Sequence, residues 1–272
     1  MPPISVMMTD LRSEVLAKCA HLDVPMVGFA PAERWDEPSP FEVPGEFRPR
    51  SIFPEARSVV VIGIPVHLPV LETTPSIWYH ELYGTVNRLL DQDAYRLATM
   101  LNEQGHPSVS VPRDGYGGLS VLKERPMAFF SHRHAAYYAG LGTFGVNNML
   151  LTPRYGPRVR FTSIFTSAEL PADPVMKEDV CIRCMRCTRA CPVGALSDGE
   201  YPEALTDKAA CVSQHEELYK RHVSPCGICI KVCPVGRDRK HFARTDAALY
   251  SDREGHERYH RAWEHVRRYG GK

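Results

Sequence analysis

Apolar positions recur with two different periods along the first part of the chain. Leu11, Val15, Cys19 and Leu22 fall at helical spacing within residues 9–22, so one face of a helix is expected there. Cys19 lies on that stripe and reads as a buried core thiol. Ser58–Val66 (SVVVIGIPV) is an almost unbroken β-branched run, the pattern of a strand covered on both faces. Residues 76–104 return to the helical period, with Leu89, Leu90, Leu97 and Leu101 among the apolar positions. A short strand is expected at Ser108–Val111, then a glycine-rich turn at Asp114–Gly118. A helix over residues 131–140 and a strand over Val159–Thr166 complete the pattern. Strands alternating with helices predict an α/β or α+β domain.

The segment Ala168–Pro174 (AELPADP) reads as a linker. Residues 1–172 are therefore expected to form one domain, residues 173–240 a cysteine-rich second module, and residues 241–272 a polar tail. Tyr, His and Arg interleave in that tail, which reads as a solvated terminal helix in preference to a nucleic-acid surface.

A length of 272 residues allows one core and a small satellite module. The net charge of +1 provides no field to recruit nucleic acid or an anionic membrane. MPPISVMMTDLRSE has neither the apolar stretch of a signal peptide nor a twin-arginine pair. No run approaches the roughly 18 apolar residues of a membrane span, so a cytoplasmic location is expected. Eight of nine cysteines crowd into residues 181–233. Disulfides do not persist in a reducing cytosol, which favours metal binding.

The spacing of these cysteines identifies the metal. Cys181-x2-Cys184-x2-Cys187-x3-Cys191-Pro192 is a bacterial-ferredoxin run: its first three thiolates wrap one [4Fe–4S] cubane and its fourth departs to another. Cys226-x2-Cys229-x3-Cys233-Pro234 repeats the last three positions, and Cys211 is the one cysteine nearby to complete it. The expected sets are crossed: Cys181, Cys184, Cys187 and Cys233 for the first cluster, and Cys191, Cys211, Cys226 and Cys229 for the second. Paired four-cysteine zinc sites usually present separated CxxC knuckles, and the back-to-back spacings fit them poorly. Arg183, Arg186, Arg189, Lys231, Arg237 and Arg239 surround the motifs. They read either as a dock for an acidic low-potential donor such as a ferredoxin or flavodoxin, or as a solvated basic face.

Gly140-Leu-Gly142-Thr-Phe-Gly145 matches GxGxxG. A dinucleotide site needs a strand before this motif and a helix after it. Here HAAYYA before it reads as helix and VNNMLLTP after it as turn and strand, so NAD binding is not expected.

AGLGTFGVNNMLLTPRYGPRVRF (Ala139–Phe161), followed by the double cysteine motif, resembles the epoxyqueuosine reductases and reductive dehalogenases. AGLGxxG is shared by both, and TPxYGPRVR is nearer the dehalogenases. Arg48-Pro49-x4-Pro54-x3-Ser58-Val59 is similar to the entry into the first strand of the epoxyqueuosine reductases. The resemblance implies a nitroreductase-like domain that binds cobalamin beside a ferredoxin-like double-cluster module, giving the class α+β. By the same resemblance the corrinoid contacts are Arg48, Leu150, Phe161, Ser213, Gly227 and Ile228. It also implies electrons passing through two clusters to cobalamin, for reductive cleavage in a small molecule.

Two departures qualify it. The D-S-A-P element of the epoxyqueuosine reductases is replaced by RPMAFFSHRH, which puts Pro126 where their catalytic aspartate stands. Their helical-repeat domain has no counterpart in residues 241–272, so tRNA is not the expected substrate. Reductive dehalogenases use a tyrosine with a basic neighbour as proton donor. Tyr137 and Tyr138 are the candidates here, with Lys123, Arg125, His132 and His134 as nearby basic groups. Two other functions stay open at this point: an electron carrier for a partner's corrinoid, and a reductase with flavin in the same pocket.

Overall fold

The computed structural model describes residues 10–271. In chain order come α1 (Leu11–His21), β1 (Met26–Pro31), α2 (Pro49–Ile52), β2 (Ser58–Pro65), α3 (Leu68–Leu71), α4 (Ile77–Glu103) and β3 (Ser108–Val111). Then follow α5 (Val121–Glu124), α6 (His132–Tyr138), β4 (Thr143–Phe144), β5 (Leu150–Leu151) and β6 (Val159–Thr166). The cysteine-rich part carries α7 (Arg186–Ala190), α8 (Lys208–Lys220), α9 (Ile228–Lys231) and α10 (Asp238–His241), and α11 (Glu257–Arg267) lies beyond it. No helix among the described residues is long and apolar enough to cross a membrane.

The main sheet has strand order β1-β2-β6-β3, and every pairing in it is antiparallel. Both faces are covered, which is why β2 is a continuous apolar run instead of an alternating one. Val60, Ile62 and Ile164 pack beneath α1 and α4, against Val15, Cys19, Leu90, Leu97 and Leu101. Val59, Val61, Phe161 and Phe165 face the other way, onto Ala135, Ala136 and Tyr138 of α6 and onto Trp35. Side chains one residue apart thus enter different cores, as the two-residue period of a strand requires.

The helical period in α4 ends where capping predicts. Ser76 Oγ accepts from the Tyr79 amide and satisfies one orphan donor of the first turn. Leu90, Leu97 and Leu101 are fully buried, whereas Leu89 points outward at 42 % exposure. In the main sheet, the strand absent from the sequence reading is β1. Its segment MVGFAP lacks a β-branched run and includes Gly28, where a Cβ would lie 2.6 Å from the Ala139 carbonyl. Close approach of α6 excludes the side chain that would have marked a strand.

The cysteine-rich part is locked to the sheet domain by one buried cation. Arg158 is 0 % exposed and makes a two-pronged pair with Asp238, Nε to Oδ2 and Nη2 to Oδ1, both at 2.7 Å. Its remaining nitrogens donate to the carbonyls of Ile230, Cys233 and Val235. Removing one partner of a buried pair strands the other charge in a low-dielectric interior. Asp238→Ala is expected to destabilise the protein by about 3–5 kcal/mol in urea unfolding. A loss below about 1 kcal/mol would show that solvent reaches Arg158.

The tail differs from the expected solvated helix. Trp263 of α11 is buried and stacks on Tyr250. Arg267 donates to the carbonyls of Glu72, Thr73 and Thr74 at the end of α3. The linker is tied down too: Asp173 accepts from the Phe29 amide and pairs with Arg12.

Candidate functional site

Short loops aim the thiols of the cysteine-rich part. Arg183 (φ 51°) and Met185 (φ 55°) both adopt left-handed backbone between Cys181 and Cys187, curling the chain around a common centre. Gly227 (φ 66°) does the same between Cys226 and Cys229. A Cβ there would lie 2.7 Å from a ring carbon of Tyr79, so glycine also allows the loop to seat against α4. Thr74 Oγ1 donates to the Cys226 carbonyl at 2.6 Å, and His80 Nδ1 lies 2.6 Å from the Ser224 carbonyl.

Electrostatic neighbours sort the eight thiols into two groups. Burial raises the Cys187 thiol, and the charges of Cys184 and Cys181 raise it further. Burial pushes Cys233 up to about 11, with Cys184 among its charged neighbours although they are far apart in sequence. Cys211 senses Cys226 and Cys191, and Cys229 senses Cys226, Cys211 and Cys191. Cys229 also senses Cys187, so the two groups adjoin. All nine cysteines are free thiols. Among the described residues, no three His, Cys, Asp or Glu side chains close around a single metal ion. Thiolates are the ligands of iron–sulfur clusters, so the donor chemistry suits them. Cys19 lies apart in the sheet-domain core, 1 % exposed, its thiol pushed up to about 12 by burial and by Asp93.

Beside the second group lies a cluster of polar side chains that the sequence reading missed. Cys229 and Tyr83 pack against the same small apolar cluster as Tyr79 and Ile230. Arg160, at the start of β6, holds its guanidinium 4.6 Å from the centre of the Tyr83 ring. Its Nη2 donates to Asp114 at 3.0 Å and its Nε to Asn87 at 3.1 Å. Burial raises the pKa of Tyr83, and the Arg160 charge works against that rise. Tyr116 joins this cluster: burial pushes its phenol up to about 12, with Asp114 and Tyr83 adding to the effect. Arg160 is the second arginine of the PRVR run, and its alternation with buried Arg158 is the one signal that could have directed attention here.

The expected site residues are dispersed. Tyr138 is 3 % exposed, donates its hydroxyl to Ser39 Oγ and packs on Trp35, so it is a core residue. Tyr137 meets Phe41 edge to face at 4.8 Å. Arg48 pairs with Asp36 and donates to the Val43 carbonyl, and no contact among the described residues brings it to Ser213, Gly227 or Ile228. Leu150 and Phe161 belong to the core beneath α6. Ser213 is exposed on α8, while Gly227 and Ile228 are half-buried at the start of α9. Of the six expected corrinoid contacts, Ser213, Gly227 and Ile228 therefore lie on the module, and Arg48, Leu150 and Phe161 in the sheet domain. Lys123 is engaged with Glu216.

Much of the basic face is also committed. Arg183 pairs with Asp179 and Glu200, and Arg189 donates to the Cys184 carbonyl. Arg239 is 2 % exposed and donates to the carbonyls of Cys233 and Lys231. Buried Lys231 lies 5.6 Å from the ring centres of both Tyr250 and Trp263. Carbonyls, carboxylates and, for Lys231, two aromatic faces thus engage these four charges.

The two histidines are neutral. His132 lies between Ser163 Oγ and the Pro112 carbonyl, both at 2.9 Å, and burial lowers its pKa to about 4. His134 lies between Ser131 Oγ and the Tyr201 hydroxyl, and burial with Arg133 and Lys208 nearby lowers its pKa to about 3. Both values fall below the unfolded value of about 6.5. As the pH drops through 6.5 the unfolded chain takes up protons that the native state refuses, so stability falls. Each histidine is expected to contribute up to about 1.4 kcal/mol per pH unit between pH 6 and about pH 4. Urea midpoints across that range would test it, because His132→Gln must flatten the slope. An unchanged slope would refute the buried neutral state.

The 4Fe–4S binding domain family matches residues 174–197. The tetrachloroethene reductive dehalogenase of Desulfitobacterium hafniense is 29 % identical over 193 residues, 65 % of this chain and 32 % of that protein. An epoxyqueuosine reductase of Synechococcus is 26 % identical over 207 residues, 72 % of this chain and 59 % of that protein. The chain therefore spans about a third of the length of the dehalogenases it matches. Among solved structures, a catabolic reductive dehalogenase in complex with 3-bromo-4-hydroxybenzoic acid superposes with a TM-score of 0.63 at 23 % identity, covering 87 % of this chain and 33 % of that one. An epoxyqueuosine reductase with a tRNA stem loop gives 0.57 at 21 %, covering 82 % and 64 %. The shared fold, the sequence similarity and the cysteine run agree: this chain is a relative of both the reductive dehalogenases and the epoxyqueuosine reductases, with a 4Fe–4S binding domain in its second half.

Proposed function

We propose that this protein is an iron–sulfur reductase that delivers electrons, through two [4Fe–4S] clusters, to a small molecule bound beside Tyr83 and Arg160. The observation that carries this reading is the packing of Cys229 and Tyr83 on one apolar cluster, which places a cluster ligand beside the tyrosine–arginine pair. Cys181, Cys184, Cys187 and Cys233 would hold one cluster; Cys191, Cys211, Cys226 and Cys229 would hold the other. The domain preceding them is read as nitroreductase-like. A corrinoid, held on the module side by Ser213 and the Gly227–Ile228 backbone, would supply a strongly reducing, nucleophilic metal centre.

This chain's own residues do the rest. The second thiol group is the one packed beside Tyr83, so the first would take electrons from outside, from a low-potential donor such as a ferredoxin or flavodoxin. Exposed Ile182 and Arg186 lie on that outer loop. Tyr83 holds a proton at Oη, and Arg160 steadies the phenolate left when that proton is given up. Reductive removal of halide from an aromatic ring consumes two electrons and one proton and releases the halide ion, and Tyr83 would supply the proton. Loss of halide is favoured over action on tRNA because the dehalogenases match at higher identity.

Anaerobic purification with iron, sulfide and cobalt analysis tests the proposal. Iron and sulfide in equal amounts, with a broad visible shoulder, are expected, and cobalt with corrinoid bands if that cofactor is retained. A colourless protein with zinc as its metal would overturn the reading.

A further inference from the structure

Lys231 is the one lysine within the two cysteine motifs, two residues after Cys229 and two before Cys233. Its amide donates to the Gly227 carbonyl and closes the single turn of α9, which sets it one turn from Cys226. The residue is 9 % exposed, yet its Nζ meets neither a carboxylate nor another hydrogen-bond acceptor among the described residues. Two rings from beyond the module stand against it instead. The centres of Tyr250 and of Trp263 in α11 each lie 5.6 Å from Nζ, and the two rings stack on each other. Aromatic faces attract a cation without neutralising it.

The carboxylate that would neutralise it is engaged elsewhere. Glu72, just past α3 and 2 % exposed, accepts from the Tyr250 hydroxyl at 2.7 Å and pairs with Arg244 at 3.2 Å. Arg239 Nη1 donates to the same hydroxyl at 2.8 Å, so the tyrosine proton is directed to Glu72. Burial lowers the pKa of Lys231 to about 8, which leaves the ammonium charged at neutral pH. A buried cation without an anion is costly. A [4Fe–4S] centre on four thiolates is the anion that chain connectivity puts beside this one. Cys233, the ligand on the other side, has its carbonyl bound by two cations of its own, Arg158 and Arg239.

We infer that Lys231 raises the reduction potential of the cluster held by Cys191, Cys211, Cys226 and Cys229, and that Tyr250 keeps this charge effective by occupying Glu72. The inference rests on the proposed function for the presence of that cluster. Reduction adds one electron from the low-potential donor and moves no proton, and the nearby ammonium favours the added negative charge. Lys231 touches no substrate: it acts only through the cluster.

A dithionite redox titration of the anaerobically purified protein, followed by EPR, tests this. The second cluster is identified as the signal missing from Cys191→Ala protein. Lys231→Met is expected to make that cluster harder to reduce by roughly tenfold or more, about 59 mV for each tenfold. Lys231→Arg keeps the charge and should stay within about threefold of the wild type. Glu72→Gln still accepts from Tyr250 but loses a negative charge, so the shift should have the opposite sign. Tyr250→Phe frees a Glu72 oxygen for Lys231 and should shift the potential in the same direction as Lys231→Met, by a smaller factor. A second-cluster potential unmoved by Lys231→Met would overturn the inference. Equal shifts in Lys231→Arg and Lys231→Met, or shifts of one sign in Lys231→Met and Glu72→Gln, would do the same, because packing and not charge would then be at work. If Lys231→Met fails to fold, Glu72→Gln and Tyr250→Phe decide: opposite shifts support the inference and absent shifts overturn it. Iron content keeps the two readings apart. Two clusters indifferent to Lys231 sink this inference alone, whereas zinc-loaded protein without a cluster signal sinks the proposed function.

Discussion

Cys233→Ala is expected to abolish the cluster held by Cys181, Cys184 and Cys187, although its sequence neighbours Cys226 and Cys229 belong to the other. The reason is geometric. In a run of this type the cysteine before proline leaves its own loop, and Cys233 lies where the charge of Cys184 reaches it. Iron and sulfide should fall by roughly half, because three thiolates hold a cubane poorly. The EPR signal of the reduced protein should simplify from two interacting centres to one. Cys191→Ala is the mirror case and should remove the cluster completed by Cys211, Cys226 and Cys229. Cys19→Ala is the control: its thiol sits in the sheet-domain core, so iron content should not change. A Cys233→Ala protein that keeps a normal first-cluster signal and loses the second would mean that each loop ligates its own cluster.

The sequence was informative wherever one local rule decided the outcome. Ser58–Pro65 and Val159–Thr166 form strands because β-branched runs buried on both faces have few alternatives. The cysteine spacings carry their own geometry, since curled loops two residues long are what bring thiols together. Such rules say nothing about which segments meet across the fold. Tyr83 is a tyrosine on an amphipathic helix and Arg160 an arginine in a strand, and neither spacing singles them out. They meet because β6 begins beside the first half of α4. Tyr137 and Tyr138 had the opposite fate. They lie next to the AGLG element in sequence, yet α6 turns them into the aromatic cluster around Trp35 and Phe41, with Tyr138 sealed from solvent. Proximity to a motif was a poor guide to which side chains the fold leaves open.

The basic residues teach the same lesson. Counted along the chain, Arg183, Arg189, Lys231 and Arg239 read either as part of a docking face or as a solvated basic face. In the fold each is drawn into carbonyls, carboxylates or aromatic faces that hold the cysteine loops in shape. Positive charge is still placed near the thiol groups, and it favours the reduced form of a cluster. Its effect there is on potential and loop rigidity more than on partner choice.

Tyr83→Phe is expected to lower reductive turnover by about 10²–10⁴-fold while iron content stays as in the wild type. A brominated benzoate with a reduced viologen as electron source provides the assay, read as bromide release. Burial keeps the phenol protonated at neutral pH, and Arg160 lowers the cost of the phenolate formed when the proton leaves. The pH profile separates a proton donor from a packing residue. Wild-type turnover should fall on the alkaline side as Tyr83 loses its proton, and the residual turnover of the phenylalanine variant should lack that limb. Arg160→Met should also slow turnover and should move the alkaline limb to higher pH, because the cation that favours the phenolate is gone. Tyr116→Phe should change turnover by less than about threefold, since Tyr83, and not Tyr116, packs on the apolar cluster that Cys229 joins. If Tyr116→Phe abolished the alkaline limb and Tyr83→Phe preserved it, the proton would come from the other side of Arg160, and the assignment would pass to Tyr116.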